Sequence, residues 1–255
     1  MSTIRTTLHL THEIQNAGRY VRVPFEVPAG TDSLEVRISY DGEAAVIDLG
    51  CEGAAGWRGW SGGARTAYVI RADDATPGYL PGRPEEGEWN VILGVHRLSA
   101  DGADVTVEIL LPAESGIDHG PVAAPVTGVP RGSTRNLPAP AGLRWFAGDF
   151  HAHTLHSDGR ESISGLAALG ARAGLDFLAV TDHNTTSHHA HLPGVGAQHA
   201  ITLLPGQEVT THRGHANAFG DIGWIDFRRP AQEWVDEVER RGGVLSVNHP
   251  ISGDC

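Results

Sequence analysis

At 255 residues, with 40% hydrophobic and 20% charged content, the chain has the composition of a globular protein with room for two ordinary domains, not of a disordered tail or a membrane protein. A net charge of −12 without a basic stripe disfavours nucleic-acid backbone as the main partner. No apolar run reaches the ~18 residues of a membrane span, and the start, Met1-Ser2-Thr3-Ile4-Arg5, lacks the apolar stretch of a secretory signal, so no membrane partner and a cytoplasmic location are expected. Two cysteines, Cys51 and Cys255, lie in different regions, and no disulfide framework is expected from them.

From residue 20 to about 111 the pattern is one of short alternating runs broken by turn residues. Y-V-R-V-P-F-E-V (20–27), L-E-V-R-I-S-Y (34–40), A-Y-V-I-R-A (67–72), E-W-N-V-I-L-G-V (88–95) and V-T-V-E-I-L-L (105–111) each read as strands. Period-2 alternation with a turn about every ten residues predicts an antiparallel β-sandwich over residues 1–112. Between these strands, R-G-W-S-G-G-A-R (58–65) with Trp57 and Trp60 has two readings, a sugar-binding or docking surface and a loop packed down by its tryptophans. The second is the commoner use of such residues. Residues 76–84 read as a run of turns with no chemistry, and the Pro-, Gly- and Ala-rich residues 113–142 as a linker.

Of the 15 histidines, only His9, His12, His96 and His119 precede residue 150. Neutral imidazole is the commonest nitrogen ligand for zinc and related metals, so the skew places the chemistry in residues 143–255. There L-R-W-F-A-G-D-F reads as a strand whose C-terminal end carries His151 and His153. Residues i and i+2 of an extended segment share a side, so both rings can face one cation. Ser157-Asp158-Gly159-Arg160 leads into a helix with Ile163, Leu166, Ala167 and Gly170 at helical spacing. A second strand, 176–181, runs into Asp182-His183-Asn184. A third, A-I-T-L-L-P, runs into Gly206-Gln207-Glu208 and then His212 and His215, with F-G-D-I-G as a return strand. A helix from about Pro230 to Arg241 and a fourth strand, G-V-L-S-V-N, deliver His249-Pro250. Apolar strands alternating with helices, each ending in polar residues, predict a (β/α) barrel with its site at the strands' C-terminal ends.

A lone H-x-H is weak evidence, but here it joins S-D-G, T-D-H, a Glu before G-H, and N-H-P in the same structural phase. Over about residues 145–250 this set resembles the polymerase-and-histidinol-phosphatase (PHP) superfamily. H-A-H-T-L-H-S-D-G matches its first motif, V-T-D-H-N its second, the Glu208-to-His215 segment its third and N-H-P a later one. G-Q-E-V-T-T-H-R-G-H-A-N behind a β-rich domain looks like the carbaryl-hydrolase-like (CehA/McbA-type) branch.

The resemblance implies a distorted (β/α)7 barrel after the β-sandwich, in a multidomain β plus α/β chain. It also implies two or three divalent cations (zinc, manganese or iron), with His151 and His153 on one, Glu208 bridging to a second on His215 and His249, and a third on Asp158 and His183. The implied activity is hydrolysis by a metal-activated hydroxide at a multinuclear site, of a small-molecule phosphoester first and a carbamate or ester second. Glu208 and His156 are its catalytic candidates, although His156 reads equally well as an inert loop residue. His188, His212 and Arg160 are candidates for substrate binding; His212 also competes with His215 as the third-motif ligand, with G-H the better family match, while His188 is also readable as part of an exposed loop and Arg160 as a solvated surface charge. The family's D-x-H motif does not follow His249, so the barrel is expected to be incomplete, with two ligands missing. A non-catalytic metal-binding module is therefore the competing reading, and a homo-oligomer is left open.

Overall fold

The computed structural model describes residues 2–251 and divides into two compact units, residues 1–118 and 119–255. Cys255 lies outside the described residues; Cys51 is buried and free.

The first unit holds β1 (Ser2–Leu10), a short helix α1 (His12–Ala17), β2 (Tyr20–Val27), β3 (Ser33–Ser39), β4 (Ala45–Gly53), β5 (Gly56–Gly62), β6 (Ala67–Arg71), β7 (Gly87–Leu98) and β8 (Ala103–Leu111). These strands form two antiparallel four-stranded sheets, in the orders β1-β8-β3-β6 and β2-β7-β4-β5. Val23, Phe25, Ile47, Leu49, Trp89, Val91 and Leu93 from one sheet and Val36, Ile38, Ile70, Val105, Val107 and Ile109 from the other make one buried core. Each such side chain contributes roughly 1.5–3 kcal/mol on burial, and the alternation of the strands puts them on a single face of each sheet.

The R-G-W-S-G-G-A-R stretch is not a loop at its start. Gly56–Gly62 is the edge strand β5, paired with β4 through two register shifts. Trp60 is buried and Arg58 nearly so, its guanidinium over the Trp89 ring and bonded to Glu85, the Leu80 carbonyl and the Gly82 carbonyl. These residues hold the turns of 76–84 in place.

The second unit holds β9 (Gly148–Ala152), α2 (Ile163–Arg172), β10 (Phe177–Val180), α3 (Leu192–His199), β11 (Thr202–Thr211), β12 (Gly214–Phe219), α4 (Ala231–Arg240) and β13 (Val244–Val247). They make one five-stranded sheet in the order β13-β12-β11-β10-β9. β9, β10 and β11 run parallel, whereas β12 and β13 are antiparallel to their neighbours. The expected (β/α)7 barrel is therefore not the fold. The described residues form three sheets with only four α-helices, and a barrel needs a crossover helix after every strand. The parallel run stops after three strands because Thr211-His212-Arg213-Gly214 is a tight turn that folds the chain back as a hairpin. The return strand is Gly214–Phe219, earlier than the expected F-G-D-I-G.

α2 begins on Ser162, whose hydroxyl accepts from the Gly165 amide, and it packs Ile163 and Ala167 against Leu178, Val180, Leu192, Ile201 and Leu203. α4 is too short to be stable by propensity alone; Trp234 and Val238 bury one stripe while Val235 stays exposed. The residues between the last sandwich strand and β9 are tethered. Glu35 accepts the Glu114 and Ser115 amides in the first unit. In the second, Arg131 donates to the Ala171, His199 and Ala200 carbonyls at the ends of α2 and α3. Among the described residues no helix is long and apolar enough to cross a membrane.

Candidate metal centre

The parallel strands place their C-terminal ends side by side, and the side chains there converge on one carboxylate. Glu208 sits within β11, and an isolated parallel bridge sets His183 beside it. Its amide hydrogen-bonds to the Thr181 and Asp182 carbonyls, and its carbonyl accepts from Asn184. Around the buried carboxylate stand five imidazoles. Oε2 lies 3.1 Å from His151 Nε2, 3.3 Å from His153 Nε2 and 3.1 Å from His183 Nδ1. Oε1 lies 3.3 Å from His215 Nδ1 and 3.1 Å from His249 Nε2. β9 supplies the first ring and its end the second, the turn after β10 the third, β12 the fourth and the residues after β13 the fifth.

The loop after β9 is shaped by a second buried carboxylate, that of Asp182. It accepts from the Thr154 amide (2.8 Å), the Thr154 hydroxyl (2.8 Å) and the Ser157 hydroxyl (2.7 Å). That folds Thr154-Leu155-His156-Ser157 into a turn, so exposed Asp158 comes back toward the rings. Its Oδ1 lies 3.6 Å from His153 Nδ1 and 3.7 Å from His183 Nε2.

Three groups of ligand-type atoms follow among the described residues: His151, Glu208 and His249; His153, Asp158 and His183; and His183, Glu208 and His215. In each, one ligand atom per residue lies within 4.8 Å of the others. The donor set suits a divalent cation on chemical grounds. A neutral imidazole has one N–H and one lone pair, so each of the five rings has a nitrogen able to bind a cation, and they surround an anionic carboxylate. Glu208 Oε2 and His215 Nδ1 are buried without a hydrogen-bond partner, a costly arrangement that a cation would relieve.

The electrostatics agree. Burial alone would raise the Glu208 carboxyl, but the His151, His215 and His183 rings and the Asn248 amide hold it well below the usual carboxylate range. Glu208 in turn raises the His151 ring. His183 goes the other way: burial pushes it down to about 4, so its ring is neutral at pH 7, the form in which an imidazole can bind a cation.

All seven expected ligand residues, His151, His153, Asp158, His183, Glu208, His215 and His249, are thus brought together. The remaining candidates are not. His188 is fully buried, its Nε2 within 3.0 Å of the Val180 and Gly206 carbonyls, where it ties β10 to β11; burial pushes its ring down to about 3. It is therefore inside the unit and not on an exposed loop open to substrate. His156 is also buried, its Nδ1 2.7 Å from the Ser187 hydroxyl, and stands outside the ring of five. His212 is exposed in the turn between β11 and β12, and Arg160 is exposed beyond Asp158.

Four supporting residues carry more than their motifs announced. Asp182, Asn184, Asn217 and Asn248 all lie within the quoted motifs and are all buried. The available signal was polar identity next to a ligand in a strand-end motif, where a buried partner is the rule.

No family model matches the chain. The chain is similar to an uncharacterized protein, MJ1587, of Methanocaldococcus jannaschii, 22% identical over 118 residues that take in 42% of this chain and 69% of that protein.

Proposed function

We propose that this chain is a metal-dependent hydrolase of small phosphoesters, a PHP-superfamily member of the carbaryl-hydrolase-like branch by its motifs. The observation that carries the reading is the buried Glu208 carboxylate ringed by five imidazoles, with Asp158 at its outer edge. Such a set serves two or three cations better than one, because a carboxylate with two differently surrounded oxygens can bridge. Bound divalent cations acidify a shared water and neutralise charge on a phosphoester. The chain's own contribution is positional. Asn248 holds Oε1 of Glu208, Asp182 holds the turn that presents Asp158, and the rings would supply nitrogen ligands. Exposed Asp158 and partly exposed His151 and His249 put one side of the cluster in reach of a small substrate.

The test is hydrolysis by protein purified without chelator and supplied with manganese or zinc. Turnover of p-nitrophenyl phosphate that His151→Ala and Glu208→Gln each abolish is expected. Turnover of 1-naphthyl methylcarbamate alone would assign the ester and carbamate class instead. Metal-replete protein inert on both substrates would leave a non-catalytic metal-binding module.

A further inference from the structure

His183 belongs to two of the three ligand groups and meets their carboxylates through different atoms: Nε2 lies 3.7 Å from Asp158 Oδ1, whereas Nδ1 lies 3.1 Å from Glu208 Oε2. A neutral imidazole has one lone pair, so it serves one group or the other. The neighbours of Nδ1 decide which. The Thr210 hydroxyl oxygen lies 2.5 Å from it, and that hydroxyl donates its own hydrogen to the Glu208 carbonyl at 3.2 Å. Glu208 Oε2, a carboxylate oxygen that can only accept, lies 3.1 Å away. Nδ1 therefore faces two acceptors, which place the ring proton there.

We propose that Thr210 is a positioning residue that fixes His183 as its Nδ1–H tautomer and so commits Nε2 to a cation shared with His153 and Asp158. Thr210 is itself held from the other side. The buried Asn184 side chain accepts from the Thr210 amide at 2.8 Å and donates to the Thr210 carbonyl at 3.0 Å, copying a strand bridge across to β11. Asn184 adopts φ 55°, a left-handed conformation that asparagine tolerates better than most residues, and the Trp224 indole N–H holds its carbonyl at 3.1 Å. The residue after His183 and the second residue after Glu208 thus form one clamp, which removes His183 from the Glu208–His215 group. The tautomer stands on the hydrogen bonds alone, while its consequence for cations rests on the metal-centre reading above.

Long-range proton–nitrogen correlation spectra of histidine-labelled, metal-free protein read the tautomer directly, with His183→Asn identifying the signal. Wild type and Thr210→Ser are expected to show Nδ1–H, and Thr210→Val a mixture or a switch to Nε2–H. Zinc titration is expected to lose about tenfold to a hundredfold in affinity at one site in Thr210→Val, with Thr210→Ser close to wild type. The same substitution in an Asp158→Asn background is expected to cost little more. An Nε2–H ring in the wild type, or an unchanged ring in Thr210→Val, overturns the assignment. So does an equal affinity loss with and without Asp158. Protein that binds no zinc yet shows the Thr210-dependent tautomer supports the assignment and removes the metal centre.

Discussion

Asn248 Nδ2 donates to Glu208 Oε1 at 2.7 Å and to Asn217 Oδ1 at 2.8 Å, and Asn217 Nδ2 donates to the Phe150 carbonyl at 3.2 Å. Through these three bonds the central carboxylate is tied across β12 to β9, the strand that carries His151. Replacing Asn248 with Ala leaves both Oε1 and Asn217 short of a donor inside the unit. The expected cost is about 1–3 kcal/mol in stability and about tenfold to a hundredfold in metal affinity. Urea melts of the metal-free protein and zinc titration read the two effects separately.

Asp182→Asn tests the second carboxylate. The amide keeps one acceptor oxygen but cannot accept from the Thr154 amide and both hydroxyls at once, so the turn that returns Asp158 should loosen. The expected result is loss of the cation nearest Asp158 with retention of the others, seen as a lower zinc-to-protein ratio. An unchanged ratio would show that Asp158 reaches the rings without this turn.

Much of this centre was legible in the sequence, and the reason is local. His151 and His153 share a side because a strand has period 2, and His183, Glu208 and His249 each come shortly after the end of an apolar run, whereas Asp158 and His215 were marked by their S-D-G and G-H motifs. The fold around them was not. A short apolar strand looks the same whether its neighbour runs parallel or antiparallel, so four such runs with helices between them suggested a barrel. The turn at Thr211–Gly214 reverses that expectation. β5 was hidden by composition, since Gly56–Gly62 has three glycines and a serine among its seven residues and takes its place in the sheet from Trp60 and Arg58 packing. His188 was misplaced because a histidine-rich run reads as an exposed loop, and only the tertiary fold shows the Val180 and Gly206 carbonyls that accept from it.

Gly59 shows how tightly β5 is fitted. Its φ is 142°, and a Cβ there would lie 2.5 Å from both the Gly78 carbonyl oxygen and Tyr79 Cα, which are backbone atoms with little room to yield. Gly59→Ala is expected to destabilise the first unit by roughly 2–4 kcal/mol in a urea melt, and to leave zinc binding by the second unchanged.

His188 gives the second unit a specific acid response. Burial lowers its ring from 6.5 to about 3 in the folded state, so the unfolded chain binds the proton first as pH falls. The stability contributed by the neutral ring is complete above about pH 6.5 and is lost progressively between there and pH 3. His188→Gln is expected to start less stable at pH 7.5, because it gives up the bonds between β10 and β11, yet to show a flatter loss on acidification. Equal slopes for variant and wild type, from urea melts at pH 7.5, 6 and 5 on metal-free protein, would refute this role.

The most direct test of the Glu208-centred cluster is metal stoichiometry of protein purified without chelator, then stripped and titrated with zinc or manganese. The account predicts at least two cations per chain in the wild type. Glu208→Gln, which keeps the shape but loses the anion that five rings share, is expected to lose about a hundredfold or more in affinity. Wild-type protein that takes up no cation, or Glu208→Gln that binds as many as tightly, would contradict it.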